Sequence, residues 1–194
     1  MKIIGVAGRK FAGKDTFAEP LDHLTGDGKF HRVKFADPLK NMLRSLFRDA
    51  GVDAETIERM IEGDLKEVPT PILKGKTPRY AMQTLGTEWR DMIAKDLWLG
   101  ITDSRLKKLA IGGTYGVIIT DVRFPHEVQF LKDRGATTFR IVSPRVQPNA
   151  LSDHPSETAI DTLPVDGEVF NFGSIDDLHE AARAMSEDVN SANM

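Results

Sequence analysis

Short continuous runs of apolar residues, separated by polar segments with helical periodicity, dominate the hydrophobic pattern of the chain. The runs KIIGVAG at 2–8 and GVIITD at 116–121 contain no charged residue before their last position except Lys2. Such runs are typical of strands that are buried on both faces of a parallel sheet. Weaker runs predict three more strands, at 32–36 (RVKFA), 137–142 (TTFRIV) and 167–172 (GEVFNF).

Helical segments alternate with these strands. EVQFLKDRGA predicts a short helix closed by Gly135. Ser174 is the predicted N-cap of a helix over SIDDLHEAARAMSEDV, which has acidic residues in its first turn. A long helical stretch, about 37–108, is interrupted by a polar, proline-rich break at 66–79. Alternation of strands and helices implies βαβ units, so the predicted fold class is α/β with a parallel five-stranded sheet.

Composition narrows the class of protein but does not identify an activity. The chain has 194 residues, a formal net charge of −3 and no cysteine. The length predicts one domain, or one domain with a mobile insertion. The lack of cysteine excludes disulfides, thiolate zinc sites and cysteine nucleophiles. We see no signal-peptide pattern and no apolar run of about 20 residues, so we expect a soluble cytoplasmic protein that binds neither a nucleic-acid polymer nor a membrane.

The segment GRKFAGKDT at 8–16, called the phosphate loop below, carries the strongest chemical signal. Gly8, Gly13 and Lys14 match the pattern G-x-x-x-x-G-K, and the match lies between a predicted strand and a predicted helix, as this motif requires. Glycines let backbone N–H groups approach phosphates, and the lysine adds a charge near the β- and γ-phosphates. The alternative, a glycine turn with a solvated lysine, is disfavoured by this context.

Asp15 stands where a serine or threonine usually ligates Mg²⁺. A carboxylate there could ligate the ion or hold a metal-bound water, and Thr16 offers a hydroxyl one residue later. The pattern Gly-Lys-x-Thr resembles the loop of nucleoside monophosphate kinases. Pro20 is expected to kink the helix that begins near Lys14, because proline removes an N–H and crowds a carbonyl.

Asp121 ends the strongest predicted strand, and Arg123 follows two residues later. In open α/β sheets, ligands bind outside the carboxyl ends of the strands. An acid there can hold Mg²⁺ through water, and a guanidinium can stabilise a transferring phosphoryl group. The alternative makes Asp121 a helix cap and Arg123 a surface residue.

The segment 77–99 predicts one amphipathic helix. Its apolar stripe consists of Met82, Leu85, Trp89, Ile93 and Leu97, with Trp89 expected in the core. At about 100° per residue, Arg79, Gln83 and Arg90 project within roughly 40° of one another, where they could grip a phosphate and a base edge. The alternative is an ordinary amphipathic helix whose polar face is solvated. Without the other motifs, the pattern of this helix favours that alternative.

Three other segments offer weaker candidates. Asp37 follows the second strand and serves either as a helix cap or as an acceptor for a sugar hydroxyl or base amine. Lys66 lies in the break before Arg79. Residues 143–166 form a lid-like segment in which Arg145 could close over donor phosphates, whereas His154 is expected to be a solvated loop histidine.

Taken together, these motifs resemble the phage-type deoxynucleoside monophosphate kinases of the P-loop kinase superfamily. The resemblance covers most of the chain, in the order GRKFAGKDT, FADPLK, TPRYAMQTLGTEWR, ITDVRFPHE, HPSE and NFGSIDDL. It implies a single domain with a doubly wound, three-layer P-loop NTPase fold, an acceptor-binding helical region at 37–108 and a short lid. It also implies transfer of the γ-phosphate of ATP to a deoxynucleoside monophosphate with Mg²⁺, by enzymes that are often homodimers.

The resemblance implies roles for individual residues. Charge on the transferred group would be stabilised by Lys14, Arg123 and Arg145. Residues expected to bind ATP are Gly8, Arg9, Ala12, Gly13, Lys14, Asp15, Thr16 and, near the donor base, Asn171 and Gly173. The acceptor would be bound by Asp37, Lys66, Arg79, Gln83 and Arg90. Metal ligands would come from Asp15, Thr16 and Asp121.

Other classes of nucleotide-binding protein share part of this pattern. A phosphomevalonate or dephospho-coenzyme A kinase would also show GKD and a FADPLK-like segment. A GTPase is disfavoured because no Asn-Lys-x-Asp motif is present. A DNA-packaging ATPase is disfavoured by the pI of about 6.0 and the lack of a basic stripe.

Overall fold

Five parallel strands form one sheet in the computed structural model, which describes residues 1–22, 29–145 and 159–191. The strand order is β2-β3-β1-β4-β5, with every neighbouring pair parallel. The strands are β1 (Lys2–Gly8), β2 (Phe30–Val33), β3 (Gly116–Val122), β4 (Thr137–Val142) and β5 (Gly167–Phe170). The predicted α/β class is confirmed, and β1 lies at the centre, where the order of the chain reverses.

The described helices occur between and after these strands. They are α1 (Lys14–Asp22), α2 (Asp37–Asp49), α3 (Ala54–Ile61), α4 (Pro78–Thr84), α5 (Arg90–Ile93), α6 (Leu97–Ile111), α7 (Pro125–Lys132) and α8 (Ile175–Ser191). A π-helical turn joins α4 to α5, and short 3₁₀ turns occur at Asp64–Glu67, Pro71–Leu73 and Ala159–Thr162. None of these described helices is long and apolar enough to span a bilayer.

The chain divides into two compact units. The sheet unit comprises Met1–Lys34 and Asp103–Met194, and the helical unit comprises Phe35–Thr102. The sequence region predicted to bind the acceptor, 37–108, covers almost the same residues as the helical unit.

The sheet unit is built in three layers. Alternate residues of β1, including Ile4 and Val6, pack with Phe17 of α1 and Leu178 of α8 in one buried cluster. Helix α7 contacts β1 and β4, and its fully buried Leu131 lies against the other face of β1, at Gly5. Because successive strand residues point to opposite faces, β1 is covered on both sides, as its apolar run predicted.

The second strand begins and ends earlier than predicted. It spans Phe30–Val33, not 32–36, and Phe30 pairs with Gly116 while Val33 pairs with Ile119. A Cβ atom at Gly116 would fall 2.4 Å from the ring of Phe30. The register is therefore set by an aromatic ring packed over a glycine on the neighbouring strand, a contact that local periodicity does not reveal.

The helical unit has its own apolar core and three ion pairs that join α2 to α3 and to Glu62, the residue after α3. The core cluster consists of Leu39, Leu43, Phe47, Ile57, Met60, Ile61, Met82 and Trp98. Lys40 is only 8% exposed, and its Nζ lies 2.8 Å from Oε1 of Glu62. Arg44 Nε donates to Oε1 of Glu58 at 2.7 Å. Since a buried ammonium is costly without a partner, the Glu62 carboxylate is what allows Lys40 to be buried.

The prediction of one regular helix over 77–99 is wrong. The π-helical turn Leu85–Trp89 interrupts it, and α5 ends at Ile93 because Ala94 adopts an extended conformation. Trp89 is 36% exposed and stacks on Trp98, with ring centroids 5.6 Å apart, so its predicted place in the core is also wrong.

The π-helical turn also changes the direction of Arg90. Such a turn inserts one residue relative to a regular helix, which rotates everything after it by about 100°. Arg90 therefore lies roughly a quarter turn away from the direction of Arg79. The predicted common face of Arg79, Gln83 and Arg90 does not exist as a straight helical face.

The first helix continues through Pro20 to Asp22, with Pro20 buried in its last turn. Pro20 has no N–H to donate to the carbonyl of Thr16, four residues earlier, so α1 lacks one hydrogen bond there.

Glu127 caps α7 from within the helix. Its Oε2 accepts hydrogen bonds from the backbone N–H groups of Arg123 (2.7 Å) and Phe124 (3.0 Å). The residue is 9% exposed, and burial raises the pKa of Glu127 to about 8, with the charge of Asp121 acting in the same direction. The folded chain consequently binds a proton at Glu127 more tightly than the unfolded chain does.

We expect the free energy of unfolding to fall as pH rises from about 4.5, the ordinary pKa of glutamate, to about 8. Below this window Glu127 is protonated in both states, and above it the folded state must hold a buried carboxylate. Over the whole window the loss amounts to roughly 5 kcal/mol from this group.

Glu127→Gln keeps a side-chain oxygen that can accept both N–H groups and removes the titration. Denaturant unfolding of wild type and variant between pH 5 and 8.5 should therefore show a smaller decline for the variant. Glu55→Gln, at an exposed position of α3, is the matched control and should follow wild type. Parallel curves for wild type and Glu127→Gln would contradict the assignment.

Candidate nucleotide-binding site

The phosphate loop connects the central strand to α1. Lys14 Nζ donates to the carbonyl oxygens of Gly8 and Arg9, both at 2.7 Å. Gly8 and Gly13 have φ values of 151° and 102°, which favour glycine. The loop thus folds around the lysine ammonium, at the N-terminal, positive end of α1.

Phe11 is an unexpected feature of this loop. It has a φ of 66°, which is unusual for a bulky residue, and its side chain is 83% exposed. The Nζ of Lys10 lies 4.9 Å from the centroid of its ring. Backbone strain at this position is a local cost that the rest of the loop must offset, and such strain is often found at ligand sites.

Asp15 forms ion pairs at the end of β2. Its Oδ1 lies 3.0 Å from Lys34 Nζ and 3.4 Å from Arg32 Nη1, and the hydroxyl of Thr120 donates to it at 3.4 Å. Burial raises the pKa of Asp15, but the hydrogen bond from Lys34 and the charges of Lys34, Arg32 and Lys14 outweigh burial and hold the pKa below its ordinary value. Asp15 is therefore ionised at neutral pH and links α1 to β2.

Asp121 and Arg123 lie at the same edge of the sheet as the phosphate loop. Ala7 pairs with Val122, so the end of β3 lies next to the end of β1. Asp121 and Arg123 are both half-buried. The backbone N–H of Arg123 is bound by Glu127, which fixes the turn that presents these two side chains.

The edge of the sheet carries oxygen donors of the kind that Mg²⁺ takes in proteins. No group of three or more acidic or histidine side chains that could hold a metal occurs within residues 1–22, 29–145 and 159–191. Mg²⁺ usually keeps several waters and takes one or two protein oxygens together with substrate phosphates. The Thr16 hydroxyl and the Asp121 carboxylate supply that kind of donor set.

Asn171 and Gly173 follow β5 and reach the phosphate loop and the start of the lid-like segment. Asn171 Nδ2 donates to the carbonyl of Ala12 at 3.0 Å, and its backbone N–H donates to Val142 at 2.8 Å. Arg145 Nη2 donates to the carbonyl of Gly173 at 3.0 Å. The structure thus brings together Arg145, Asn171, Gly173 and the phosphate loop, all in the sheet unit.

An open cavity of about 340 Å³ adjoins the phosphate loop. Arg9 Nε donates to Asp161 at 3.1 Å, and Arg140 Nε donates to Glu168 at 3.0 Å. The hydrogen bond from Arg9 lowers the pKa of Asp161. The lining residues are Arg9, Ala12, Arg140, Ile141, Val142, Ser143, Ile160, Asp161 and Glu168.

Sequence reasoning missed most of this charged lining. Arg140 is hidden within the apolar run that predicts β4, and Asp161 and Glu168 lie more than 150 residues from Arg9. The available signal was the alternation within TTFRIV, where a charged residue interrupts the apolar run.

The predicted acceptor residues all lie in the helical unit. Arg79 is ion-paired with Glu67, so the proline-rich break and α4 are joined there. Arg90 is mostly buried, and its Nε donates to Asp91 at 2.9 Å. Gln83 is exposed and Lys66 is half-buried in a 3₁₀ turn.

Asp37 is the first residue of α2 and not its cap. Ala36 occupies the N-cap position, with no side-chain capping bond. The capping interpretation of Asp37 is therefore wrong, and the half-buried carboxylate stays a candidate for contact with the acceptor. His154, the motif HPSE and lid residues 146–158 lie outside the described residues.

Comparison with known proteins identifies relatives of one kind. A family model described as "Deoxynucleotide monophosphate kinase" matches residues 53–182. A putative deoxynucleotide monophosphate kinase of Acanthamoeba polyphaga mimivirus is 30% identical over 174 residues, which cover 84% of each chain. A deoxynucleoside-5'-monophosphate kinase of Escherichia phage T5 is 31% identical over 109 residues, covering 53% of this chain and 42% of that relative.

A solved structure supports the architecture. Dephospho-CoA kinase from Campylobacter jejuni aligns over 100% of both chains with a TM-score of 0.51 and 14% identity. At that identity the likeness shows the fold alone, and it confirms the three-layer α/β prediction. The family model covers well over half of the chain, and the mimivirus relative aligns over most of both proteins. As the motifs predicted, this chain belongs to the deoxynucleotide monophosphate kinase family.

Proposed function

We propose that this chain transfers the γ-phosphate of ATP to a deoxynucleoside monophosphate, giving a deoxynucleoside diphosphate and ADP. The observation that carries the proposal is a lysine held inside a glycine loop at the end of the central strand, in a chain of this family. Phosphoryl transfer needs little covalent chemistry from a protein. The roles to assign to residues are therefore positioning of the two substrates and stabilisation of the charge on the transferred phosphoryl group.

The phosphate loop of the sheet unit is the donor site. Lys14 donates to two carbonyl oxygens, those of Gly8 and Arg9, and the third N–H of its ammonium would bind the β- and γ-phosphate oxygens of ATP. Backbone N–H groups from Gly8 to Thr16 and the N-terminus of α1 would bind the remaining phosphate oxygens. Arg9, Ala12, Gly13, Asn171 and Gly173 complete the donor side.

Mg²⁺ would be held by Thr16 and Asp121, and it would neutralise charge on the β- and γ-phosphates. Asp15 would reach the ion only through a water, because its carboxylate is already bound to Lys34.

Arg123 and Arg145 are the cations assigned to the transferred group. A guanidinium aimed at phosphoryl oxygens stabilises the charge that develops during transfer. Glu127 fixes the backbone of Arg123, and Arg145 contacts the loop after β5. Both arginines therefore belong to the unit that would hold ATP.

The helical unit supplies the acceptor site. Arg79 and Arg90 have the planar donors that match phosphate oxygens, and Asp37, Lys66 and Gln83 add polar groups for the sugar and base. Because the π-helical turn sets the two arginines about a quarter turn apart, they would serve different parts of the acceptor. The carboxylates of Glu67 and Asp91 now occupy them.

The alternative is another small-molecule P-loop kinase of the phosphomevalonate or dephospho-coenzyme A type. The structural likeness to dephospho-CoA kinase is a likeness of fold alone at 14% identity. The family match supports the deoxynucleotide acceptor instead.

Purified protein with Mg·ATP should release ADP when one or more deoxynucleoside monophosphates are added. A coupled assay over a panel of dNMPs, phosphomevalonate and dephospho-coenzyme A measures this directly. ADP release only with phosphomevalonate or dephospho-coenzyme A, or with none of the panel, would overturn the proposed acceptor.

Lys14→Ala should lower kcat/KM by at least about 100-fold, since a charge aimed at the phosphoryl group is lost. The melting temperature, followed by circular dichroism, should stay close to that of wild type. Lys10→Ala is the control, since it removes a lysine of the same loop whose Nζ lies near the exposed ring of Phe11. It should lower kcat/KM far less than Lys14→Ala does. Equal turnover for Lys14→Ala and wild type would refute the role of Lys14.

Arg90→Ala should raise the KM of the acceptor by roughly 10–100-fold, the cost of a charge-assisted hydrogen bond, and leave the KM of ATP almost unchanged. Arg48→Ala, at an exposed position of α2, is the control from the same unit. An equal rise in both KM values would separate Arg90 from the acceptor site.

A further inference from the structure

Asn171 links the end of β5 to the phosphate loop. Its backbone N–H donates to Val142 at 2.8 Å, so the residue extends the pairing of β5 with β4 by one position. Its side-chain Nδ2 donates to the carbonyl of Ala12 at 3.0 Å, across 159 residues of sequence. The backbone of Asn171 is therefore held by the sheet, and its side-chain amide is held by the phosphate loop.

This bond fixes the orientation of one peptide unit of the loop. In a trans peptide, the C=O of one residue and the N–H of the next lie in one plane and point in opposite directions. Holding the carbonyl of Ala12 on the side of Asn171 therefore directs the N–H of Gly13 to the opposite side. A carbonyl turned towards bound phosphates would instead repel them.

Gly13 shows how closely Asn171 fits against the loop. It has a φ of 102°, and a Cβ there would lie 2.7 Å from Asn171 Nδ2 and 3.1 Å from Leu178 Cδ2. Leu178 is itself buried in the core of the sheet unit. The space beside Gly13 is thus occupied by the amide and by a core side chain, which restricts rotation of this peptide unit.

We propose that Asn171 is a positioning residue that keeps the peptide unit between Ala12 and Gly13 turned for binding of the donor phosphates, and that it does not read the donor base. The inference rests on the proposed function, because it takes the phosphate loop to bind ATP. It replaces the expectation that Asn171 lies against the base, since its Nδ2 is bound to the loop.

Inorganic tripolyphosphate separates the two roles, because it has the phosphate chain of ATP without base or sugar. Its inhibition constant against ATP, with Mg²⁺ present, is to be measured for wild type, Asn171→Ala and Asn171→Asp. Asn171→Ala should weaken the binding of tripolyphosphate and the binding of ATP by the same factor, roughly tenfold. The KM of the deoxynucleoside monophosphate should stay unchanged. Asn171→Asp should weaken both further, because a carboxylate cannot donate to Ala12 and repels phosphate.

The ratio of activity with ATP to activity with GTP is a second measurement. Loss of a contact with the base would change this ratio, whereas a merely structural defect would leave it as in wild type. We expect both Asn171 variants to keep the wild-type ratio. Weaker binding of ATP with unchanged binding of tripolyphosphate would overturn the inference in favour of a base contact. A changed ratio of activity with ATP to activity with GTP would do the same. Unchanged affinities for both ligands would also overturn it.

Failure of the proposed function gives a different result. If tripolyphosphate does not compete with ATP on the wild-type protein, the assignment of the phosphate loop as donor site is wrong, and the inference about Asn171 is overturned with it. If wild type binds tripolyphosphate and the variants bind it equally well, the Asn171 inference alone is overturned.

Folding is controlled separately. Gln129→Ala removes an exposed side-chain amide of α7 that donates to Asp133 at 2.7 Å, and it should match wild type in every measurement. Should Asn171→Ala fail to fold, Asn171→Asp, which is nearly the same size, decides the outcome at a temperature where its melting curve shows a folded protein.

Discussion

The phosphate loop can bind an anion only if its carbonyl groups accept hydrogen bonds from the protein and do not face the anion. Several elements of the sheet unit supply the donors for these carbonyls. Lys14 Nζ binds the carbonyls of Gly8 and Arg9, and Asn171 binds that of Ala12. The carbonyl of Gly13 accepts the first hydrogen bond of α1, from the N–H of Phe17. Strand β5, the lysine and α1 each contribute one part of this arrangement, so the polarity of the loop is a property of the tertiary structure.

Charged groups near the proposed sites are handled in two physically different ways. Lys40 is buried beside the carboxylate of Glu62, which offsets its charge. Burial and the nearby charge of Asp121 raise the pKa of Glu127 and favour its neutral form, and they outweigh the two backbone N–H groups, which favour the charged form. The first arrangement fastens two helices together, whereas the second stabilises a turn at a cost that depends on pH.

Three of the arginines assigned to nucleotides are already paired with carboxylates in the structure. Arg9 binds Asp161, Arg79 binds Glu67, and Arg90 binds Asp91. Pairing limits repulsion among the cations, and a ligand must offer more than a single weak negative charge to displace a carboxylate. Phosphate groups, with several oxygens and nearly two charges, meet that condition better than simple monovalent anions do.

The sequence by itself determined the strands with uninterrupted apolar runs, the phosphate loop and the start of the last helix. Strand β1 spans the residues of its run and β3 matches its run closely, because burial on both faces leaves a continuous local signal. Ser174 binds the N–H of Asp177 as the predicted cap of α8, which is again a local interaction. The family resemblance came from the same source, since its motifs are short and contiguous.

Only the tertiary structure decided the register of β2, the π-helical turn and the partners of the loop. The register depends on Phe30 packing over Gly116, and the turn breaks the constant 100° per residue on which the placement of Arg90 relied. The bonds from Asn171 to Ala12 and from Arg9 to Asp161 join residues more than 150 positions apart. Periodicity and spacing describe neighbours along the chain, whereas these contacts exist because a folded sheet brings the ends of distant strands to one edge.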